Sequence, residues 1–551
     1  MLQSKSNRDI WSTMTIVIFS VYALFLLYPL FSLLITSVQD PGSGSFSLRY
    51  FSDFFSSAYY MEALWNSFKV TIAVTAISAL VAVPLAYIMT TVKIKGAILV
   101  TTLIIISSVS PPFIGAYSWI LLLGRNGVIT NFFQNTLGIP VPDIYGFTGI
   151  SLVLVLQLFP LVYIYTLGAL RSVDNSLIEA AESMQCTGLQ KMYKIIVPLI
   201  IPTLLAGSLL VFMRALSDFG TPMLIGEGYR TIPVLIFNEF ISEVGGDAGF
   251  AAAISVIVVI IASLVFLLQK YISKKKSFTM SALKPIEAKN STGVANIVAH
   301  TFVYGVTAIA LLPRIYVIYT SFLETSGTVF VQRFSLDSYF MSFDRLGSSI
   351  QITFMLAIAA MVIIVIMSVF IAYLTVRRPN KINDTLDTVS MFPFIVPGSI
   401  LGIALLASFN SGPILLGGTA FIMIISFAIR RLPYTIRSSA AILNQISKSV
   451  EEASISLGAS NLKTFVKITL PMMASGIIAG SILSWINIFS ELSTSIILYT
   501  GATRTMSIAI YTEVLRGSYG TAAALSTILT IVTVLSLLVF FKVTGKREVA
   551  I

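Results

Sequence analysis

The sequence predicts an all-α polytopic membrane protein of about twelve transmembrane helices, arranged as two parallel six-helix repeats. Three observations predict it. The 551 residues are 56% hydrophobic and 11% charged, with a mean hydropathy of +0.91, whereas soluble domains carry about 25% charged residues. Apolar runs of roughly 20 residues, enough to cross about 30 Å of hydrocarbon, can be placed twelve times. Finally, the polar stretch Ser176 to Pro198 (SLIEAAESMQCTGLQKMYKIIVP) returns 273 positions later, without a gap, as Ser449 to Pro471 (SVEEASISLGASNLKTFVKITLP).

In order, the expected spans are 13–36, 67–91, 97–122, 149–170, 198–217, 249–269, 297–320, 350–375, 388–408, 413–432, 471–490 and 521–541. The first follows Lys5 and Arg8 but is too long for a signal-peptide core and ends in no A-x-A site, so it reads as a retained anchor. With the N-terminus inside, 25 lysines and arginines fall on the inner side, Arg430 and Arg431 among them, against eight on the outer side. That bias orients the chain and puts both copies of the repeated stretch, and both termini, in the cytoplasm.

The lysine-rich stretch 270–296 separates a first repeat, 1–269, from a second, 297–551. Each holds six spans in the same orientation, so the symmetry axis runs along the membrane normal and a solute path would lie between the halves. Outside the polar stretch the match thins: Ala86-Tyr87 recurs as Ala372-Tyr373 and Pro160 as Pro433, while the first spans align poorly. One cysteine, Cys186, and one histidine, His300, leave no disulfide framework, zinc cluster or Ser-His-Asp chemistry. No metal site is expected. The net charge of +11 is accounted for by residues flanking spans rather than by nucleic acid.

The repeated stretch carries its own local logic. Ser176-x-x-Glu179 and Ser449-x-x-Glu452 fit a capping box, in which hydroxyl and carboxylate satisfy free amides at a helix start. Ala180-Ala181 and Ala453-Ser454 leave a slim helix side able to enter a cleft. Gly458 suits the left-handed turn that closes such a helix. Gln185 stands at the aligned position, so the first helix is expected to run one turn further, to Gly188. A single copy could be no more than a capped connector. Two copies in one register favour a docking element.

At these residues, EAAESMQCTG and EEASISLGAS, the chain resembles the permease subunits of binding-protein-dependent ABC importers, whose cytoplasmic EAA loop forms a coupling helix seated in a groove of an ATPase. The likeness covers nearly the whole chain. It implies that Glu179, Ala180, Ala181, Gln185 and Gly188, with Glu452, Ala453, Ser454 and Gly458, face two cytoplasmic ATPase subunits, and that a solute-binding protein serves the outer face. Length and an SDFGTP stretch most resemble the ferric-iron permeases; relatives carry thiamine, 2-aminoethylphosphonate or polyamines. No GxxxxGK[ST] phosphate loop occurs, so ATP and Mg belong to the partner subunits and this chain is expected to bind no cofactor.

Ionisable groups at membrane depth are costly and are functional by default. Arg214 and Asp218 are four apart on one helix and able to pair; Asn487 and Glu491 are their counterparts in the second half. Either the pair reaches the outer surface, or Asp218 and Glu491 face each other across the axis as a gate or transient solute site. Pro112, beside Pro111 and near Gly115, and Pro397, near Pro393 and Gly398, either break helices at similar depth and expose carbonyls to a path or are prolines of the kind membrane helices tolerate. The rival reading is an ion-driven secondary transporter of the major facilitator arrangement, which needs no ATPase.

Overall fold

The computed structural model describes residues 9–40, 42–109, 111–241, 247–275, 286–411 and 413–544. Lys5, Arg8, Lys276, Lys284, Lys546 and Arg547 of the charge count lie outside them. The first half runs α1 Asp9–Tyr22, α2 Tyr28–Ser37, α3 Arg49–Ser56, α4 Ala58–Thr91, α5 Ala97–Val109, α6 Pro112–Leu123, α7 Val128–Asn131, α8 Phe147–Arg171, α9 Asn175–Ser183, α10 Gly188–Lys191, α11 Val197–Leu216, α12 Gly220–Ile225, α13 Ile232–Ile241 and α14 Ala248–Lys275. The second half runs α15 Gly293–Thr320, β1 Leu323–Ser326, β2 Val329–Phe334, α16 Asp337–Arg377, α17 Lys381–Ser390, α18 Phe392–Ile395, α19 Gly398–Phe409, α20 Ala420–Gln445, α21 Lys448–Ser456, α22 Asn461–Thr464, α23 Leu470–Phe489, α24 Ser495–Leu498, α25 Met506–Leu515 and α26 Tyr519–Thr544. The one described sheet is the antiparallel β1–β2 hairpin.

Among the described residues nine helices are long and apolar enough to cross a membrane, or eleven when two bent pairs count as one span each. The protein is a multi-pass membrane protein. The bent pairs are the third spans of the two halves, expected as 97–122 and 388–408. Their breaks turn the chain by 97° and 109°. Pro111 and Pro397 cap the helices that follow, at φ −57°, ψ 139° and φ −55°, ψ 147°. A proline in that extended region cannot continue the preceding helix, so the chain turns twice at the same place. Pro112 stands one residue inside its helix; the counterpart of Pro397 is Pro111.

The tenth span was expected at 413–432 and instead starts seven residues later. Thr419 caps α20, its Oγ1 accepting the Ile422 N–H at 3.4 Å, and Gly418 before it takes φ +75°. The helix therefore covers Ala420–Gln445, in the register that α8 holds in the first half. Arg430 and Arg431, expected on the inner side, lie in its middle and leave the inner count at 23. Tertiary partners, described below, hold them there.

Each half is built on a three-helix core, α4–α8–α11 and α16–α20–α23. The repeated Ala-Gly-Ser triplets explain its tightness, because small residues let membrane helices approach closely. A Cβ on Gly207 would lie 3.1 Å from Tyr165 Cβ, and one on Gly480 would lie 2.5 Å from Thr435 Cα. The first helix of each half packs on the other half. Trp11 of α1 lies 4.6 Å from the Tyr373 ring and 5.2 Å from that of Phe465, and Thr15 Oγ1 donates to Asn383 Oδ1 at 3.1 Å. α15 returns the exchange against α4, α5, α6 and α8.

Candidate coupling and translocation site

Across the repeated stretch and the helix that follows it, the two halves keep the same element bounds. α9 and α21, α10 and α22, and α11 and α23 begin and end 273 positions apart, and so do the π-helical turns Met192–Ile196 and Phe465–Thr469 between them. Such single turns recur at functional positions in helices. Each half thus carries a short helix, a reversal, and then an unbroken helical rod. The second rod, Asn461–Phe489, is 29 residues long, or about 43 Å at 1.5 Å per residue.

The caps sit two residues before their expected place. Asp174 Oδ1 accepts the Ser176 N–H at 2.9 Å, and Ser447 Oγ accepts the Ser449 N–H at 3.3 Å. Ser176 and Ser449 are therefore first-turn residues rather than capping-box residues. Inside the first helix, Asn175 Nδ2 donates to Glu179 Oε1 at 2.7 Å.

The expectation that the first helix runs on to Gly188 fails. α9 ends at Ser183 as α21 ends at Ser456, and Gln185 takes φ +60° where Gly458 takes +87°. Both reversals close alike, Cys186 N donating to Ala181 O at 3.0 Å and Ala459 N to Ser454 O at 3.2 Å. The next helix imposes this. Thr187 Oγ1 accepts the Gln190 N–H at 3.3 Å, and Ser460 Oγ accepts the Lys463 N–H at 3.3 Å. With those caps fixed, only Met184, Gln185 and Cys186 are left to turn the chain, and Gln185 adopts a conformation that an L side chain makes costly. Gly188 opens α10 instead of closing α9.

Of the residues singled out in the loops, Glu179, Ala180, Glu452 and Ala453 are exposed, while Ala181 and Ser454 are buried. The inward position explains the second copy's serine, whose Oγ lies 2.9 Å from Thr464 Oγ1. Two exposed residues escaped the sequence reading. Met184 and Leu457, at aligned positions beside the turns, are 78% and 90% exposed. Their signal was an apolar residue just before a helix-closing turn on a polar connector. In the second copy, Val450, Ala453, Leu457 and Lys463 line a shallow concavity of about 350 Å³. Glu451 anchors this loop through a buried ion pair with Arg377, Nε to Oε1 at 2.8 Å.

The far ends of the rods meet a belt of buried polar groups. Arg214 and Asp218, expected to pair, go elsewhere: Arg214 Nη2 donates to Tyr434 OH at 2.9 Å, crossing between halves, and Asp218 Oδ1 accepts the Thr221 N–H at 2.8 Å. The turn after Leu216 caps α12 with Asp218 and so draws the carboxylate off the helix face. Asn487 donates to Leu483 O on its own helix at 2.8 Å. Glu491 sits between two arginines missing from the sequence reading of this site, Arg430 (Nε at 3.1 Å) and Arg431. All three side chains are largely buried, Glu491 almost completely.

The broken helices border this belt. A Cβ on Gly398 would lie 2.0 Å from Arg430 Nη1, so only glycine after Pro397 leaves room for the guanidinium. In the first half Gln157, aligned with Arg430, donates to the freed Ser108 carbonyl at 3.3 Å. The segments after the two rods touch: a Cβ on Gly220 would lie 3.2 Å from Leu492 Cδ2. The arrangement offers two matched, exposed helices at one face, each joined by a stiff rod to a charged belt where the halves meet.

A family model described as binding-protein-dependent transport system inner membrane component matches residues 82–278 and 364–547. The chain is 28% identical over 527 residues to the ferric transport system permease protein FbpB of Actinobacillus pleuropneumoniae, covering 94% of this chain and 76% of that protein. It is 26% identical over 511 residues to a putative ferric transport system permease protein of Haemophilus influenzae, covering 91% and 79%. The spermidine/putrescine permease PotB of the same organism is 26% identical over 258 residues, 45% of this chain and 90% of that protein.

Proposed function

The chain belongs to the family of binding-protein-dependent transport inner membrane components, and from that premise we propose that it is the fused double permease of an ABC importer that takes up ferric iron. Two ATPase subunits dock on α9 and α21 in the cytoplasm. A solute-binding protein delivers cargo to the outer face, and the cargo crosses between the halves. Nucleotide hydrolysis belongs to the partners; the permease transmits their closure.

The observation that supports this reading is that the two docking-to-belt rods begin and end at aligned residues. When two ATPases close, α9 and α21 are displaced together, and the stiff rods pass that displacement to the Arg214–Tyr434 and Glu491–Arg431 contacts. Those contacts then exchange partners as the halves rock, which is alternating access by rigid-body motion. The proline breaks let α6 and α19 follow without melting longer helices.

Iron as cargo rests on coverage. The relatives named for ferric transport match this chain across both halves, whereas the polyamine permease and a putative 2-aminoethylphosphonate permease of Salmonella typhimurium, 24% identical, match 45% and 40% of it. The belt carries three guanidinium groups against the carboxylates of Asp218 and Glu491, which disfavours a bare trivalent cation. In this reading the iron passes with anionic ligands.

The test is uptake in proteoliposomes holding this chain, its ATPases and its binding protein. ATP-dependent accumulation of labelled ferric iron is expected, and Met184→Asp with Leu457→Asp abolishes both ATPase association and uptake. Uptake that persists without ATPase subunits, driven by an ion gradient, overturns the importer reading. ATP-dependent uptake of a polyamine or phosphonate in place of iron overturns only the cargo.

A further inference from the structure

A second internal repeat, out of register with the first, shapes the face opposite α9 and α21. Pro29 and Thr36-Ser37 of α2, with Gln39 just past it, correspond, 284 positions on, to Pro313, Thr320-Ser321 at the end of α15 and Leu323 of β1. Ser37 Oγ donates to Leu34 O at 2.7 Å, and Ser321 Oγ to Ile318 O at 2.6 Å. A hairpin follows in each half, four residues longer in the second. Gln39 pairs with Phe46 in one and Leu323 with Phe334 in the other. The offset is 288 from there, and Phe46-Ser47-Leu48 repeats as Phe334-Ser335-Leu336. Ser47 Oγ accepts the Arg49 N–H at 3.1 Å and Ser335 Oγ that of Asp337 at 2.9 Å, so α3 and α16 start at equivalent residues.

The repeated hairpins present the same side chains outward to nearly the same degree. Phe46 and Phe334 are 76% and 77% exposed, Leu48 and Leu336 56% and 52%, Phe55 and Phe343 each 56%. An isolated exposed phenylalanine needs no explanation. Two matching triads at equivalent positions do.

Their surroundings select the occupant. The hairpins terminate the spans Ile10–Ser37 and Gly293–Thr320, whose apolar windows are 28% and 22% buried within the protein, which leaves most of each for lipid to cover. The outward stripe also repeats, Phe31 and Ile35 in α2 matching Ile315 and Tyr319 in α15. The Phe334 ring packs edge-on against Tyr319, centroids 6.4 Å apart, so the triad continues a lipid-facing surface past the end of its helix. Arg49 and Arg333, both well exposed, flank the triads, each 3.6 Å from a carboxylate, Asp53 and Glu324 respectively. A long basic side chain there can reach phosphate while the apolar residues lie lower.

We propose that the two triads are paired feet seated in the headgroup–acyl boundary of the outer leaflet, and that phospholipid is their partner. They fix the depth of the crossed-over first helices of the two halves.

Site-directed spin labelling of the full chain tests this without any soluble partner. In a Cys186→Ser background, Phe46→Cys and Phe334→Cys carry nitroxides in phosphatidylethanolamine–phosphatidylglycerol vesicles, with Phe55→Cys and Phe343→Cys as a second pair should the first not fold. Ile315→Cys is the lipid control, and Ser43→Cys at the hairpin tip is the water control. The expected result is collision with oxygen exceeding collision with an aqueous nickel chelate at both feet, with depths that agree between halves. Nickel-dominated collision like that at position 43, at either foot, overturns the proposal and leaves these residues as a surface for a soluble protein.

Discussion

The two halves keep the same element bounds at the α9 and α21 end and diverge at the belt and beyond it. At the coupling end even a residue unsuited to the turn, Gln185, is bent into the shape that Gly458 takes freely. At the belt the second half buries Glu491 between Arg430 and Arg431, while the aligned first-half positions are Asp218, Gln157 and Leu158. Outside, the first half clamps its long α6–α8 connection: Arg125 reaches Asp143 at 3.1 Å and Glu227 at 2.9 Å and lies 4.6 Å over the Tyr145 ring. In the proposed importer, geometry is held constant where two motors would push together, and chemistry varies where the halves would meet cargo and binding protein, which have no two-fold symmetry to respect.

The largest expected effect breaks this comparison at the belt. Glu491→Leu leaves two buried guanidinium groups uncompensated and costs about 3–5 kcal/mol, whereas Asp218→Asn keeps an acceptor for the Thr221 amide and costs less than about 1 kcal/mol. Thermal unfolding of the full chain in detergent ranks them, and equal losses would show the two carboxylates to be equivalent. Next in size is the Arg377–Glu451 pair. Removing either partner alone costs about 3 kcal/mol, and Arg377→Met with Glu451→Leu together recovers most of it. The aligned first-half residue is Ile178, so Ile178→Ala is expected to cost less than either single charge removal.

A smaller effect sharpens the likeness of the turns. Gln185→Gly relieves the left-handed strain and stabilises the first loop by about 1 kcal/mol, and Gly458→Gln imposes it at similar cost. Hydrogen exchange over 175–191 and 448–464 reads both, in opposite directions. The smallest effect concerns the outer clamp. The Tyr145 backbone amide and then Arg125 hold the Asp143 carboxyl below the usual carboxylate range. A carboxyl lowered on folding stabilises above its unfolded value, and that contribution is lost as pH falls through the folded one. The difference in unfolding temperature between wild type and Asp143→Asn is therefore expected to be constant from about pH 5 to 8 and to shrink only below about pH 4. A difference that changed near neutrality would place another titrating group in the clamp.

How far the sequence could be read follows from how local each feature is. Membrane class, repeat number and the place of the short polar helices α9 and α21 were legible because hydropathy over roughly 20 residues and an ungapped 273-residue register do not depend on distant partners. The caps at Asp174 and Ser447 were missed by two positions, since several hydroxyl and carboxylate residues compete there and packing picks one. The repeat between the first spans was missed because the hairpin insertion of four residues shifts its register.

By itself, then, the sequence determined that this chain lives in lipid, that it is doubled, and that each half offers one polar helix at one face. Those properties are sums over a window or matches along a string. Only the tertiary structure decided that Gln185 turns left-handed, that Arg214 bonds Tyr434 of the other half instead of Asp218, and that Arg430 and Arg431 are drawn to the interior by Glu491. Each is a choice between partners of similar local merit. At membrane depth a buried charge takes the partner that the packed helices bring within reach, and a register of residue types does not contain that distance.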